Sequence, residues 1–178
     1  MKESSFRLLA IALVVFVAAF FRLVPHAPNA VPMVALALFA GAKLNDRRIA
    51  FILVFLSMFV SDLVIGFDAT SPFVYLSLGA VVLLGGAVGT KNSPFRILAG
   101  TFAGSVLFFG VTNFAVWMMQ DLYPRTVAGL LECYVMGLPF FRNGLSADVA
   151  YAALFFGCFA YAERRYVSLR PLSQIAAA

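Results

Sequence analysis

Apolar and polar residues do not alternate along this chain. Apolar residues come in long runs separated by short clusters of proline, glycine and charge. Such runs are too long for strands, and most match the ~20 residues a helix needs to cross a bilayer. Six runs stand out, at residues 6–24, 31–44, 48–66, 72–89, 94–119 and 145–166. The first follows Lys2 and Arg7 as a signal peptide would. It is long for one, however, and Arg22 and Pro25 follow it instead of a small-residue cleavage site, so it reads as a retained span. The second run is short for a crossing, which implies tilt, enclosure by neighbours or locally thinned bilayer. The connector 120–144 carries a semi-apolar stretch, 126–138, with Glu132 in its middle. A re-entrant or interfacial helix is the better reading of that stretch; a full span there would move the C-terminus to the other side. The pattern therefore predicts an all-α protein, an integral membrane helical bundle of about six transmembrane helices, forming a single transmembrane domain over 1–178.

Composition agrees with the pattern. Hydrophobic residues make up 63% of the 178 and charged residues only 12%, about half the share usual in a soluble domain. The lipid bilayer is thus the first partner expected. The net charge of +5 does not point to nucleic acid, because the basic residues sit between apolar runs and act as topology signals. With the N-terminus inside, the inner set is Lys2, Arg7, Lys43, Arg47, Arg48, Lys91, Arg96, Arg164, Arg165 and Arg170, and the outer set is Arg22, Arg125 and Arg142, ten against three. That bias places both termini in the cytoplasm. Most acids lie on the other side: Asp62, Asp68, Asp121, Glu132 and Asp148 are outer, Glu3, Asp46 and Glu163 inner.

Four outer segments gather the polar chemistry. The link 22–32, with three prolines, is stiff and extended and holds the only histidine, His26, together with Asn29; it reads either as a cap over a cavity or as a connector, with Asn29 as a helix N-cap. Asp62 lies within the third span and needs a partner, for which Arg22 and Arg142 are the candidates. Asn113 and Trp117, four apart, share one helix face; they suit orienting and stacking a ligand, or a helix–helix hydrogen bond and an interfacial belt tryptophan. The last segment brings Arg142, Asn143 and Asp148 to the start of the sixth span, where Arg142 and Asp148 are close enough to pair. Gly41, Gly79, Gly85, Gly86 and Gly89, with Ala37, read as close helix packing. The single histidine has no matching nucleophile and acid, metal-ligand spacing is absent, and no cofactor motif is present. The chain reads as a non-enzyme without catalytic residues.

These features resemble an uncharacterised bacterial family of small six-span membrane proteins. The resemblance rests on Arg22-Leu-Val-Pro-His26-Ala-Pro-Asn29, the short span ending Leu38-Phe-Ala-Gly41, Ser61-Asp62, Thr112-Asn113-Phe-Ala-Val-Trp117 and Gly137-Leu-Pro-Phe-Phe-Arg142-Asn143. More distantly, the architecture is similar to the substrate-binding S-components of energy-coupling-factor vitamin transporters. That likeness implies six helices, inner termini, and an outer pocket closed by the link between the first two spans. It also implies a coupling module as partner. Such proteins often dock that module through an Ala-x-x-x-Ala motif in span 1, and Ala10, Ala12, Ala18 and Ala19 lack this spacing.

The function expected is small-molecule, vitamin-like uptake. The ligand would occupy an outward-facing pocket built from His26, Asn29, Asp62, Asn113, Trp117, Arg142, Asn143 and Asp148. The alternative is a structural or accessory subunit of a larger membrane complex, with the same polar rim as a contact surface for other membrane subunits.

Overall fold

The computed structural model describes residues 5–89 and 93–170; Lys2, Glu3 and Lys91, part of the charge count above, lie outside them. Six α-helices make up the bundle: α1 (Ser5–Phe20), α2 (Met33–Lys43), α3 (Arg47–Ile65), α4 (Ser71–Val88), α5 (Pro94–Met119) and α6 (Val127–Arg165). All but α2 are long and apolar enough to cross a membrane. Large apolar side chains such as Leu9, Leu13, Val64 and Phe95 point outward, whereas Arg7 and Lys43 are buried. This inverts the surface of a soluble protein and marks a multi-pass membrane bundle. The helices run alternately up and down. The 24–32 link and the α3–α4 and α5–α6 turns share one end, here the link end; Lys43, Arg96 and Arg164 mark the tail end.

The short second helix is enclosed by its neighbours. All eleven residues of α2, Met33 to Lys43, are buried. A bilayer supplies little hydrophobic drive to push one apolar helix behind others, so close packing must do it. Glycines make that packing available. A Cβ on Gly41 would collide with the Val82 carbonyl oxygen of α4, and one on Gly85 with the Leu38 carbonyl oxygen of α2. The two backbones therefore touch, as small residues permit. On the α6 side, Phe39 meets the edges of Phe156 and Phe159 at centroid distances of 5.3 and 5.4 Å.

Both ends of α2 are held by polar side chains. At its N-terminus the Ala35 amide donates to Asp148 Oδ1 of α6 at 3.3 Å. At its C-terminus Arg7 Nη2 donates to the Lys43 carbonyl at 2.9 Å, and Lys43 Nζ pairs with Glu163 at 2.9 Å. Arg7 also pairs with Glu163 at 2.7 Å and donates to the Leu169 carbonyl. A carboxyl acceptor thus sits at the amide end of the helix and cations at the carbonyl end, where the helix dipole favours positive charge.

The expected spans agree with the helices except at the sixth. The stretch 126–138 is no separate re-entrant or interfacial element; its helical part forms the first third of α6, which runs unbroken for 39 residues through Pro139. Its length is about 58 Å by helix rise, against roughly 30 Å of hydrocarbon. Proline is tolerated because packing against α5 compensates for the lost bond. Gly137 fits against Asn113, and the Tyr134 hydroxyl donates to the Gly110 carbonyl at 2.7 Å.

Gly85→Ala is expected to lower stability by about 1–3 kcal/mol through overpacking. Gly110→Ala, at a position where an added Cβ meets nothing within 4 Å, should melt no lower than the parent. Thermal melting in detergent checks the pair, and equal melting of the two variants would contradict the backbone contact.

Candidate functional site

At the link end the helices splay and enclose a cavity of about 210 Å³. Its wall comes from seven places in the chain, with Met58 of α3 and Val74 of α4 among them. Arg22 projects from the 3-10 turn Phe21–Leu23. Asn29 stands in the link, held at a positive φ of 60°, a conformation asparagine tolerates better than most residues. Met33 and Val34 form the first turn of α2, and Ser105, Phe108, Phe109, Thr112 and Asn113 line one face of α5. Phe140, Phe141, Gly144 and Asp148 come from α6. An adjoining hollow of about 420 Å³ shares Asn29, Phe108, Thr112, Asn113 and Phe140 with it and reaches Tyr123 and Cys133. Together they form a space with aromatic sides and a few polar groups, of the kind that holds small molecules.

Two carboxylates organise the polar part. Asp62 is buried in α3 and fully partnered: Arg22 Nη1 donates to Oδ1 at 2.7 Å and the Tyr75 hydroxyl of α4 donates to Oδ2 at 2.7 Å. Arg22 also donates to the Ser61 hydroxyl. This array ties the start of the link to α3 and α4 and holds the guanidinium at the cavity wall. Asp148 is buried in α6 and accepts from the Ser105 hydroxyl of α5 at 2.8 Å as well as from α2. One carboxylate thus joins three helices at the cavity floor. Loss of either would leave buried donors unmatched.

The structure gathers some of the eight expected residues and scatters others. Asn29, Asn113 and Asp148 line the cavity. Asp62 stands behind the wall and acts through Arg22. His26 does not line it: the ring is exposed, and Nδ1 contacts the neighbouring Ala27 carbonyl at 3.0 Å. Trp117 faces the α5–α6 turn, its indole donating to the Pro124 carbonyl at 2.9 Å. Arg142 is exposed and does not pair with Asp148, whose oxygens meet Ser105 and α2 instead. Asn143 donates weakly to the Pro28 carbonyl at 3.4 Å and steadies the link from α6. Asn113 spends one amide hydrogen on the Phe109 carbonyl at 2.9 Å, so its oxygen and its second N–H carry what remains of its bonding capacity.

Ser105, Tyr75 and the phenylalanines of α5 were not singled out by sequence. A signal for the first existed: Thr101, Ser105 and Thr112 are four and seven apart, one polar stripe along α5. Among the described residues, no three His, Cys, Asp or Glu side chains gather as a metal site would require.

Removal of one member of the Asp62 array should cost about 3 kcal/mol, because its buried partner is left uncompensated. Asp62→Ala is therefore expected to melt well below the parent, and the combined Arg22→Met, Asp62→Leu variant to recover most of the loss. A double-mutant cycle on melting temperature checks this, and simple additivity would contradict it.

No curated protein and no solved structure matches the chain. The comparisons lend no support to the likeness to S-components, and a likeness of architecture would not by itself carry function. A family of unknown function, DUF6580, matches residues 2–172, nearly the whole chain, and the chain belongs to that family.

Proposed function

We propose that this protein is a small-molecule uptake protein of the bacterial inner membrane that binds a vitamin-like ligand in the link-end cavity. The observation that carries the reading is the cavity wall itself, where Arg22, Asp148, Asn29 and Asn113 converge among Phe108, Phe109, Phe140 and Phe141. Aromatic sides suit a planar ring, and the few convergent polar groups would fix its orientation. Orientation comes from charge. Arg47, Arg48, Arg96, Arg164, Arg165 and Arg170 gather at the tail end, against Arg22, Arg125 in the α5–α6 turn and Arg142 in the link-end part of α6. The positive-inside rule then puts the tail end, and both termini, in the cytoplasm and the cavity on the far side. The stiff link, hinged at Arg22 and resting on Asn143, would move over the bound molecule.

Thermal stabilisation in detergent across a panel of vitamins and their precursors tests this. At least one compound should raise the melting temperature by several degrees. Asn29→Gly keeps the positive φ and removes the amide, so it should weaken that compound about tenfold, roughly 1.4 kcal/mol, without lowering the melting temperature of the bare protein. A silent panel would sink the reading.

A second reading, an accessory subunit of a larger membrane complex, draws on the length of α6. Its first third carries the outward stripe Val127, Leu131, Val135 and Leu138, each more than half exposed, on a helix far longer than one crossing needs. Native purification in mild detergent with mass spectrometry separates the two readings. A stoichiometric partner retained on the chain favours the second, and a lone monomer favours uptake.

A further inference from the structure

Away from the cavity, toward the tail end, the seam between α5 and α6 stays open to the membrane. It forms a groove of about 270 Å³. Buried Thr101 and Ala152 lie at its base, and exposed Leu98, Ala153 and Gly157 stand along its rims. The Thr101 hydroxyl is turned back onto the Ile97 carbonyl at 2.8 Å, which leaves the walls apolar. A Cβ placed on Gly157 would meet nothing within 4 Å, so the slot is unfilled there. Along α6 the groove reaches from Val149 to Ala160, about 16 Å by helix rise. That is close to one leaflet, about half of the ~30 Å hydrocarbon thickness.

The groove ends in positive charge. Arg164 is exposed and lies four residues beyond Ala160, on the same face of α6. Arg96 is exposed in the first turn of α5 at the same end of the bundle, on a face of that helix turned away from the groove residues Pro94 and Ile97. An apolar slot one leaflet deep with Arg164 at its headgroup end, and Arg96 at the same level of the bundle, matches one occupant. We propose that this groove binds an anionic phospholipid, with an acyl chain along Ala153 and Gly157 and the phosphate at Arg164, in the positive field that Arg96 reinforces. Basic residues at the interface attract anionic lipid headgroups. A second copy of the chain fits less well. A two-fold axis along the membrane normal would bring Arg96 and Arg164 of both copies to one level, where like charges repel.

The test uses the full chain, purified in detergent and stripped of lipid. Phosphatidylglycerol or phosphatidylcholine of the same acyl composition is added back, with melting temperature and native mass spectrometry as readouts. Phosphatidylglycerol should raise the melting temperature several degrees more than phosphatidylcholine and be retained at one per chain. The combined Arg96→Gln, Arg164→Gln variant should lose that preference. Gly157→Leu fills open space on a helix with a better helix former, so the bare protein should melt no lower while lipid retention falls; Ala153→Leu serves as a second plug. Equal stabilisation by the two lipids would overturn the proposal, as would undiminished retention in both plugged variants. A dimer that Gly157→Leu disperses would overturn it too, by showing that a second copy fills the groove.

Discussion

The rest of the bundle depends on a helix that touches neither water nor lipid. The helix α2 is eleven residues long and buried along its whole length. A helix leaves four amides and four carbonyls unmatched at its ends, and inside a membrane protein water does not make up the difference cheaply. Here Asp148 meets the amide end and Arg7 meets the carbonyl end. Asp148 offers an oxygen to the amide end, and Arg7 brings positive charge to the end where the helix dipole favours it. Glu163 then balances Arg7 and Lys43 together. Both carboxylates come from α6, so one long helix brackets the short one. The glycine contacts with α4 fix the depth and rotation of α2 between these brackets.

This arrangement explains why the cavity lies where it does. Because α2 begins only at Met33, it stops short of the link end while α5 and α6 continue past it. The space above its first turn is the cavity, and the carboxylate that caps the helix is also part of the cavity wall. A ligand that approached Asp148 would act on the same group that holds α2, α5 and α6 together. Structure and the proposed binding would be coupled at that residue. Arg22 plays the matching part on the other side, since its pair with Asp62 anchors the link that roofs the space.

Much of the fold was legible in the sequence because apolar runs and their breaks are local signals. Asp62 and its partner Arg22 were legible too, because a charge inside a span demands compensation. The unbroken course of α6 was not. Gly137, Pro139 and Gly144 each signal a break locally, and only packing against Asn113 and Gly110, some two dozen residues earlier, keeps the helix going. Asp148 was visible as a polar residue but its partners were not, since Ser105 and Ala35 lie 43 and 113 positions away. His26, Trp117 and Arg142 drew attention for their chemistry. The first two spend their ring nitrogens on nearby backbone and the third lies at the surface.

The enclosure of α2 is the claim on which the cavity, the bracketing charges and the glycine contacts all rest. Photolabelling with a carbene precursor dissolved in the lipid, followed by mass spectrometry of the labelled peptides, reads it directly. Label should appear on outward residues of α1 and α3 such as Leu9 and Val64, with none between Met33 and Lys43. Label within α2 at the level reached on its neighbours would contradict the account.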